Sequence, residues 1–203
     1  MTAGGTPTSD DPEMWANSED EGTPWLAIGD MSSGALVTES TKRVTDVGLD
    51  SKRLPVGKPG DILFAMYASV GACAELGIYA TWNQAILGLR PRENASDNSF
   101  VRYWLTHLRP QLDRFTSTNT QANLNAETVG NLPFPDLAVS EQRRIAEFLD
   151  GETGRIDTLI TEYETQLELV EEDFSALIVS TVLSDIDPFG GCLLYTSPSP
   201  RDS

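Results

Sequence analysis

The sequence predicts an α+β protein: a globular domain of mixed strands and helices, followed by a long helix that forms a coiled coil. Three observations predict it. Between residues 24 and 91, short apolar, β-branched and aromatic runs alternate with Gly and Pro turns. Residues 98–115 carry apolar side chains at helical spacing. Residues 156–177 carry them in alternating steps of four and three, which is a heptad seam. The domain is expected over residues 1–135, the helix over 136–187, and a separate tail over 188–203.

Residues 1–24, rich in Gly, Pro, Thr, Ser and acids, read as loop. "PWLAIGDM" (24–31) reads as a strand and "GALVTES" (34–40) as a second. Residues 41–60 are turn-rich and hold five basic side chains. "DILFAMYASVGACAEL" (61–76) reads as a strand followed by a turn at Gly71. "IYATWNQAILGLRP" (78–91) is a β-type run interrupted by "NQ". In 98–115 the apolar positions are Phe100, Val101, Trp104, Leu105, Leu108, Leu112 and Phe115, with Asn98 or Ser99 as cap and Pro110 as a break. Residues 116–132 are polar and amide-rich, and "PFP" (133–135) locks the chain extended. A helix is expected from Ser140 as N-cap, with Glu141 in its first turn. Gly151 and Gly154 each cost about 1 kcal/mol in a helix interior and predict a bend there.

The seam comprises Ile156, Ile160, Tyr163, Leu167, Val170, Phe174 and Leu177. Such a stripe is narrow and calls for a partner helix, whereas Glu162, Glu164, Glu168, Glu171, Glu172 and Asp173 between its members form a solvated face.

Net charge is −17 over 203 residues, which taken whole opposes phosphate binding. The acidity is unevenly spread. Residues 1–40 hold eight acids and no Lys or Arg. Residues 41–120 hold ten Lys/Arg against seven Asp/Glu, a net of +3, and 141–187 hold three Arg against thirteen acids, a net of −10. The middle of the chain is therefore free to face a polyanion. Its cations are mostly Arg, which suits bidentate contacts to guanine and phosphate, although Arg-rich, acid-rich usage also fits an organism with a salty cytoplasm.

Enzyme chemistry finds little support. Two distant cysteines, Cys73 and Cys192, and one histidine, His107, build neither a disulfide framework nor a zinc site. No Gly-rich nucleotide loop follows a strand. "DSK" (50–52) stands without an upstream Pro-Asp pair, and no "NPPY"-type methyltransferase motif occurs. The N-terminus has neither the basic start nor the apolar stretch of a signal peptide, and no apolar run reaches membrane-spanning length. A cytoplasmic protein without membrane contact is expected.

Six blocks in order carry a resemblance. "GGTPT" (4–8) with Trp15, "PWLAIGDM" (24–31), "LPVGKPGDILFAMYASVG" (54–71), "TWNQAI" (81–86), "NTQANLN" (119–125) and "LPFPDLAVSEQRRIAEFLD" (132–150) together resemble the specificity (S) subunit of type I restriction–modification systems. The resemblance implies a target recognition domain that reads one half of a split double-stranded DNA target. It also implies a spacer helix that pairs with a second such helix, either from another S half or from a second copy. Modification subunits would dock on the helices and methylate adenine; a restriction subunit would add translocation and cleavage. The S subunit itself would hold no cofactor, because S-adenosylmethionine, ATP and Mg belong to the partner subunits. The chain departs from the full pattern in holding one recognition domain and one helix.

Within this frame Lys42, Arg43, Lys52, Arg53 and Lys58 are the phosphate candidates, clustered in an acid-poor stretch. Base-edge candidates are the amides and hydroxyls of Thr118, Asn119, Thr120, Gln121 and Asn123, with Tyr67 and Ser69 at the glycine turn and Asn83 and Gln84 in the "NQ" block. A block shared by a whole family more often serves structure, since targets differ between members. The alternative is a coiled-coil adaptor whose head binds protein and not DNA. The final "CLLYTSPSPRDS" resembles translated adapter read-through, the other reading being a disordered tail.

Overall fold

The computed structural model describes residues 1–16, 21–31, 36–92, 94–115 and 124–184. Among these residues, eight strands form two sheets. They are β1 (Thr2–Ala3), β2 (Thr23–Leu26), β3 (Leu36–Val37), β4 (Lys42–Val44), β5 (Ile62–Ala65), β6 (Cys73–Leu76), β7 (Thr81–Trp82) and β8 (Ile86–Leu89). The five-stranded sheet has the order β1-β8-β5-β6-β3, antiparallel except for the parallel β3–β6 pair. The three-stranded sheet has the order β4-β2-β7, with β4–β2 antiparallel and β2–β7 parallel. The helices are α1 (Asp46–Lys52), α2 (Asn98–Leu108), α3 (Ala126–Gly130) and α4 (Val139–Ser184).

Strand β5 is the middle of the domain, and all four of its residues are buried. Alternation sends Leu63 and Ala65 to one face, where they pack with Leu26, Leu76, Trp82 and Ile86 between the sheets. It sends Ile62, Phe64 and Met66 to the other face, where they meet Leu87, Leu105, Leu112, Leu124 and Val129. A strand covered on both faces reads as one apolar run, which is why 61–66 stands out in the sequence. Trp82, 1% exposed, fills the inter-sheet core. Glycine makes room for it: a Cβ on Gly88 would lie 2.1 Å from Trp82 Cζ2.

The structure corrects several expectations. Residues 1–24 are not all loop, because Thr2 and Ala3 pair with Gly88 and Leu87, and a 3-10 helix covers Pro12–Met14. Residues 41–60 contain β4 and α1. Thr45 caps α1, accepting from Gly48 N at 3.1 Å, and Arg53 closes it at φ 50. Gly48 looks like a helix breaker, yet it lets α1 approach Met14, whose carbonyl would lie 2.4 Å from a Cβ there. The cap of α2 is Asp97, which accepts from Phe100 N at 3.1 Å; Asn98 is the first helical residue and donates instead to Gly60 O. Ser140 lies inside α4, whose first amides turn back to the Ala138 carbonyl. No break interrupts α4 at Gly151 or Gly154: both are open to solvent, and propensity alone does not break a ladder of main-chain bonds.

Two compact units are present, Met1–Leu149 and the chain from Asp150 onward, so the division falls inside α4. Within the first unit, Trp104 Nε1 donates to Pro133 O at 2.6 Å and Phe134 packs edge-on to Phe100 at 5.8 Å, pinning "PFP" on α2. Gln142, 1% exposed, then ties the first turns of α4 down. Its Oε1 accepts from Asp97 N at 3.0 Å, while Nε2 donates to Leu137 O at 2.9 Å and to Ala95 O at 3.3 Å. Among the described residues no helix is long and apolar enough to cross a membrane.

Candidate nucleic-acid interface

Three segments meet beyond the C-terminal end of β5. The first is the turn 66–72, made by Ala68 at φ 55 and Gly71 at φ 79, which leaves Tyr67 and Ser69 exposed. The second is the turn 83–85 between β7 and β8, joined to the first by Met66 N donating to Ala85 O at 2.8 Å. The third begins at Leu124, fully buried, whose N–H donates to Met66 O at 3.4 Å. Leu124 is the first described residue after the amide-rich segment. Thr118, Asn119, Thr120, Gln121 and Asn123 lie outside the described residues.

The turn 83–85 is held from within. Asn83 N donates to Leu26 O at 3.0 Å, and Asn83 Oδ1 accepts from Ala85 N at 2.9 Å. Gln84 is exposed, and its Oε1 accepts from Thr6 Oγ1 at 2.5 Å. Gly4 N and Gly5 N donate to Ile86 O and Trp82 O, and Gly5 O accepts from Trp25 Nε1 at 2.9 Å. The "GGTP" and "TWNQ" stretches are thus two sides of one contact. Their spacing in the sequence, about eighty residues, conceals it.

The cations divide into three places. Lys52 and Arg53, both exposed, end α1 beside this contact: a Cβ on Gly5 would lie 3.8 Å from Lys52 Cβ. Lys42 opposes Trp25, which on its other side opposes Thr81, so Lys42 stands two strands, about 10 Å, from β7. Its Nζ lies 5.5 Å from the centroid of the Trp15 ring. Arg43 is drawn into the fold, donating through Nε to Glu21 O at 2.9 Å and through Nη2 to Gly22 O at 3.0 Å. Lys42, Arg43, Trp15 and Tyr79 line an open cavity of about 970 Å³. Lys58 is not brought to these groups. It lies before the N-terminal end of β5, with Asp61, Arg90 and Asn98. The strand between, about 13 Å long at 3.3 Å per residue, separates it from Tyr67.

At that far end Asp61 takes two bonds from Arg90, at 2.8 and 2.6 Å, and one from Lys58 N at 3.0 Å. Burial pushes the Asp61 carboxyl up, but the Arg90 guanidinium and the Lys58 amide outweigh it and hold the group below its ordinary value. Cys73 is different: burial pushes its thiol up to about 12 against the opposing charges of Arg102 and Arg109. His107 is exposed, with its ring 5.3 Å from that of Trp104. Among the described residues no group of three or more His, Cys, Asp or Glu is placed to hold a metal.

Sequence reasoning missed Tyr79, 66% exposed at the cavity, and Arg109, which lies against Gly71 at the foot of the 66–72 turn. Arg109 carried a signal, since it follows Arg102 by seven residues and so shares its helical face. Tyr79 carried none. On the second unit, every seam residue from Ile156 to Leu177 is exposed, at 49–63%.

A family model for the type I restriction modification DNA specificity domain matches residues 3–169. The chain belongs to this family. Solved structures from type I R-M systems share its fold. A structure concerned with complex assembly and conformational transition of the type I R-M system aligns at TM-score 0.64 and 25% identity, covering 84% of this chain and 40% of that one. The HsdS subunit from Thermoanaerobacter tengcongensis aligns at TM-score 0.58 and 24% identity, covering 77% of this chain and 35% of that one. The chain therefore spans 35–40% of the length of these two solved chains.

Proposed function

We propose that this specificity-family chain reads one half of a bipartite double-stranded DNA target within a cytoplasmic type I restriction–modification complex. The observation that carries the proposal is the convergence at the C-terminal end of β5. Tyr67, Ser69 and Gln84 are exposed there, Asn83 is half-exposed, and Leu124 is bonded to Met66 beside them. Lys52 and Arg53 flank this face as phosphate contacts, which position the domain while the hydroxyl and amide groups read base edges. Asn83 serves mainly to build the turn, since its acceptor oxygen is already used. Spacer helix α4 docks the modification subunits. The chain contributes recognition and no bond-making chemistry; S-adenosylmethionine, ATP and Mg act on the partner subunits.

The test is the salt dependence of duplex binding by the complex. Replacing Lys52 and Arg53 together by Ala lowers affinity for all sequences and reduces the slope of log K against log salt by about 1.8, or 0.9 per phosphate lost. An unchanged slope removes both residues from the interface. Replacing Gln121 instead changes preference at one base pair. Absence of duplex binding by an intact complex favours the adaptor reading.

A further inference from the structure

The turns at the C-terminal end of β5 carry no charge of their own to meet a phosphate. Neither 66–72, "MYASVGA", nor 83–85, "NQA", contains Lys or Arg. Lys52 and Arg53 supply charge from the β1 side, where Lys52 lies beside Gly5. On the β6 side the cations come from α2 and the 3-10 helix that follows it, Arg109–Phe115. Arg102 is half-buried and lies over the Tyr103 ring at 4.2 Å. Arg109 is exposed, and its stem crosses Gly71: a Cβ there would lie 2.9 Å from Arg109 Cγ. With Ser69, Thr106, Ile28 and Met31, Arg109 lines a pocket of about 330 Å³ beside the turn.

The sheet fixes how far apart the two cation sites stand. Strand β1 pairs with β8, β8 with β5 and β5 with β6, each antiparallel. The C-terminal ends of β1 and β5 therefore lie at the same end as the N-terminal end of β6. Gly5 follows β1 and Gly71 precedes β6, three strand spacings apart, or about 14 Å. The major groove of B-DNA is about 12 Å wide and the minor groove about 6 Å. The span suits phosphates on the two walls of a major groove, with the turns bearing Gln84, Tyr67 and Ser69 between them.

We propose that Arg109 holds a backbone phosphate on the strand opposite the one held by Lys52 and Arg53, so that the two cation sites straddle the groove that Tyr67, Ser69 and Gln84 face. This rests on the DNA-reading proposal and gives the second strand of the duplex its contact.

The test uses the full chain in complex with a modification subunit, on the duplex that the wild-type complex enriches. Arg109→Met keeps an unbranched stem on Gly71 and removes the charge; Arg109→Lys keeps both. The Met variant reduces the slope of log K against log salt by about 0.9, one phosphate's worth, and the Lys variant restores it. Phosphate ethylation interference then locates the loss. The wild-type complex shows blocked phosphates on both strands. Arg109→Met loses those on one strand, and Lys52→Ala with Arg53→Ala loses those on the other. An unchanged slope in the Met variant overturns the proposal. So does a Lys variant no better than Met, which reduces Arg109 to a support for the turn, or a loss on the same strand as the Lys52 and Arg53 pair. A wild-type complex that binds no duplex refutes the DNA-reading proposal itself, whereas a wild-type complex that binds while the Met variant matches it refutes the role of Arg109 alone.

Discussion

Replacing Gln142 by Leu tests what fixes the start of α4 to the domain. The side chain is buried and serves three partners: Asp97 N, Leu137 O and Ala95 O. Leu keeps most of the volume and removes all three bonds. Ala95 is exposed and its carbonyl turns to water. Asp97 N and Leu137 O are half-buried and are left without a partner, at about 1–3 kcal/mol each. After a partial offset from burying an apolar side chain, the expected loss is about 2–4 kcal/mol, or about 5–15 °C in Tm for a domain of this size. Urea denaturation followed by tryptophan fluorescence measures it, and amide exchange at Asp97 and Phe100 locates it. Gln142→Glu sharpens the test. Its carboxylate still accepts from Asp97 N but cannot donate to Leu137 O. Burial raises the folded pKa of the new Glu, so the variant regains stability as pH falls and the group protonates. A Leu variant within 0.5 kcal/mol of wild type, or a Glu variant with no such recovery, refutes the clamp.

Further outcomes follow from the same geometry. Because the Asp61 pKa is held below its ordinary 3.8, its contribution to stability is present above that value and lost as pH falls through the lower folded pKa. Acid titration of Asp61→Asn is accordingly flatter than that of wild type over this range. Gly88→Ala forces a methyl against Trp82 and costs about 1–3 kcal/mol in chemical denaturation. Cys73, with its thiol pushed up to about 12, resists alkylation at pH 8 in the folded chain and reacts once urea unfolds it.

Much of this fold was legible because its strongest signals are local. Strand β5 is one apolar run, α2 repeats every three to four residues, and the α4 seam keeps its heptads across 156–177. What escaped depends on distant contacts. Strand β1 is two residues long and exists because Gly88 and Leu87 complete it. Helix α1 hides behind Gly48, whose use appears only when Met14 packs against it. The helix continues through Gly151 and Gly154 because two exposed glycines lower helix stability without removing a hydrogen bond. Residue type nominated Tyr67, Ser69, Asn83 and Gln84, but gave no hint that β5 and its neighbours bring these four to one end of the domain and leave Lys58 at the other.

The most direct test of the central claim is enrichment from a randomised duplex pool by the full chain with a modification subunit from the same source, at low and moderate salt. The account predicts a short enriched half-site of a few base pairs, altered at one position when Tyr67 or Gln121 is replaced. No enrichment from a complex shown to be intact would contradict it.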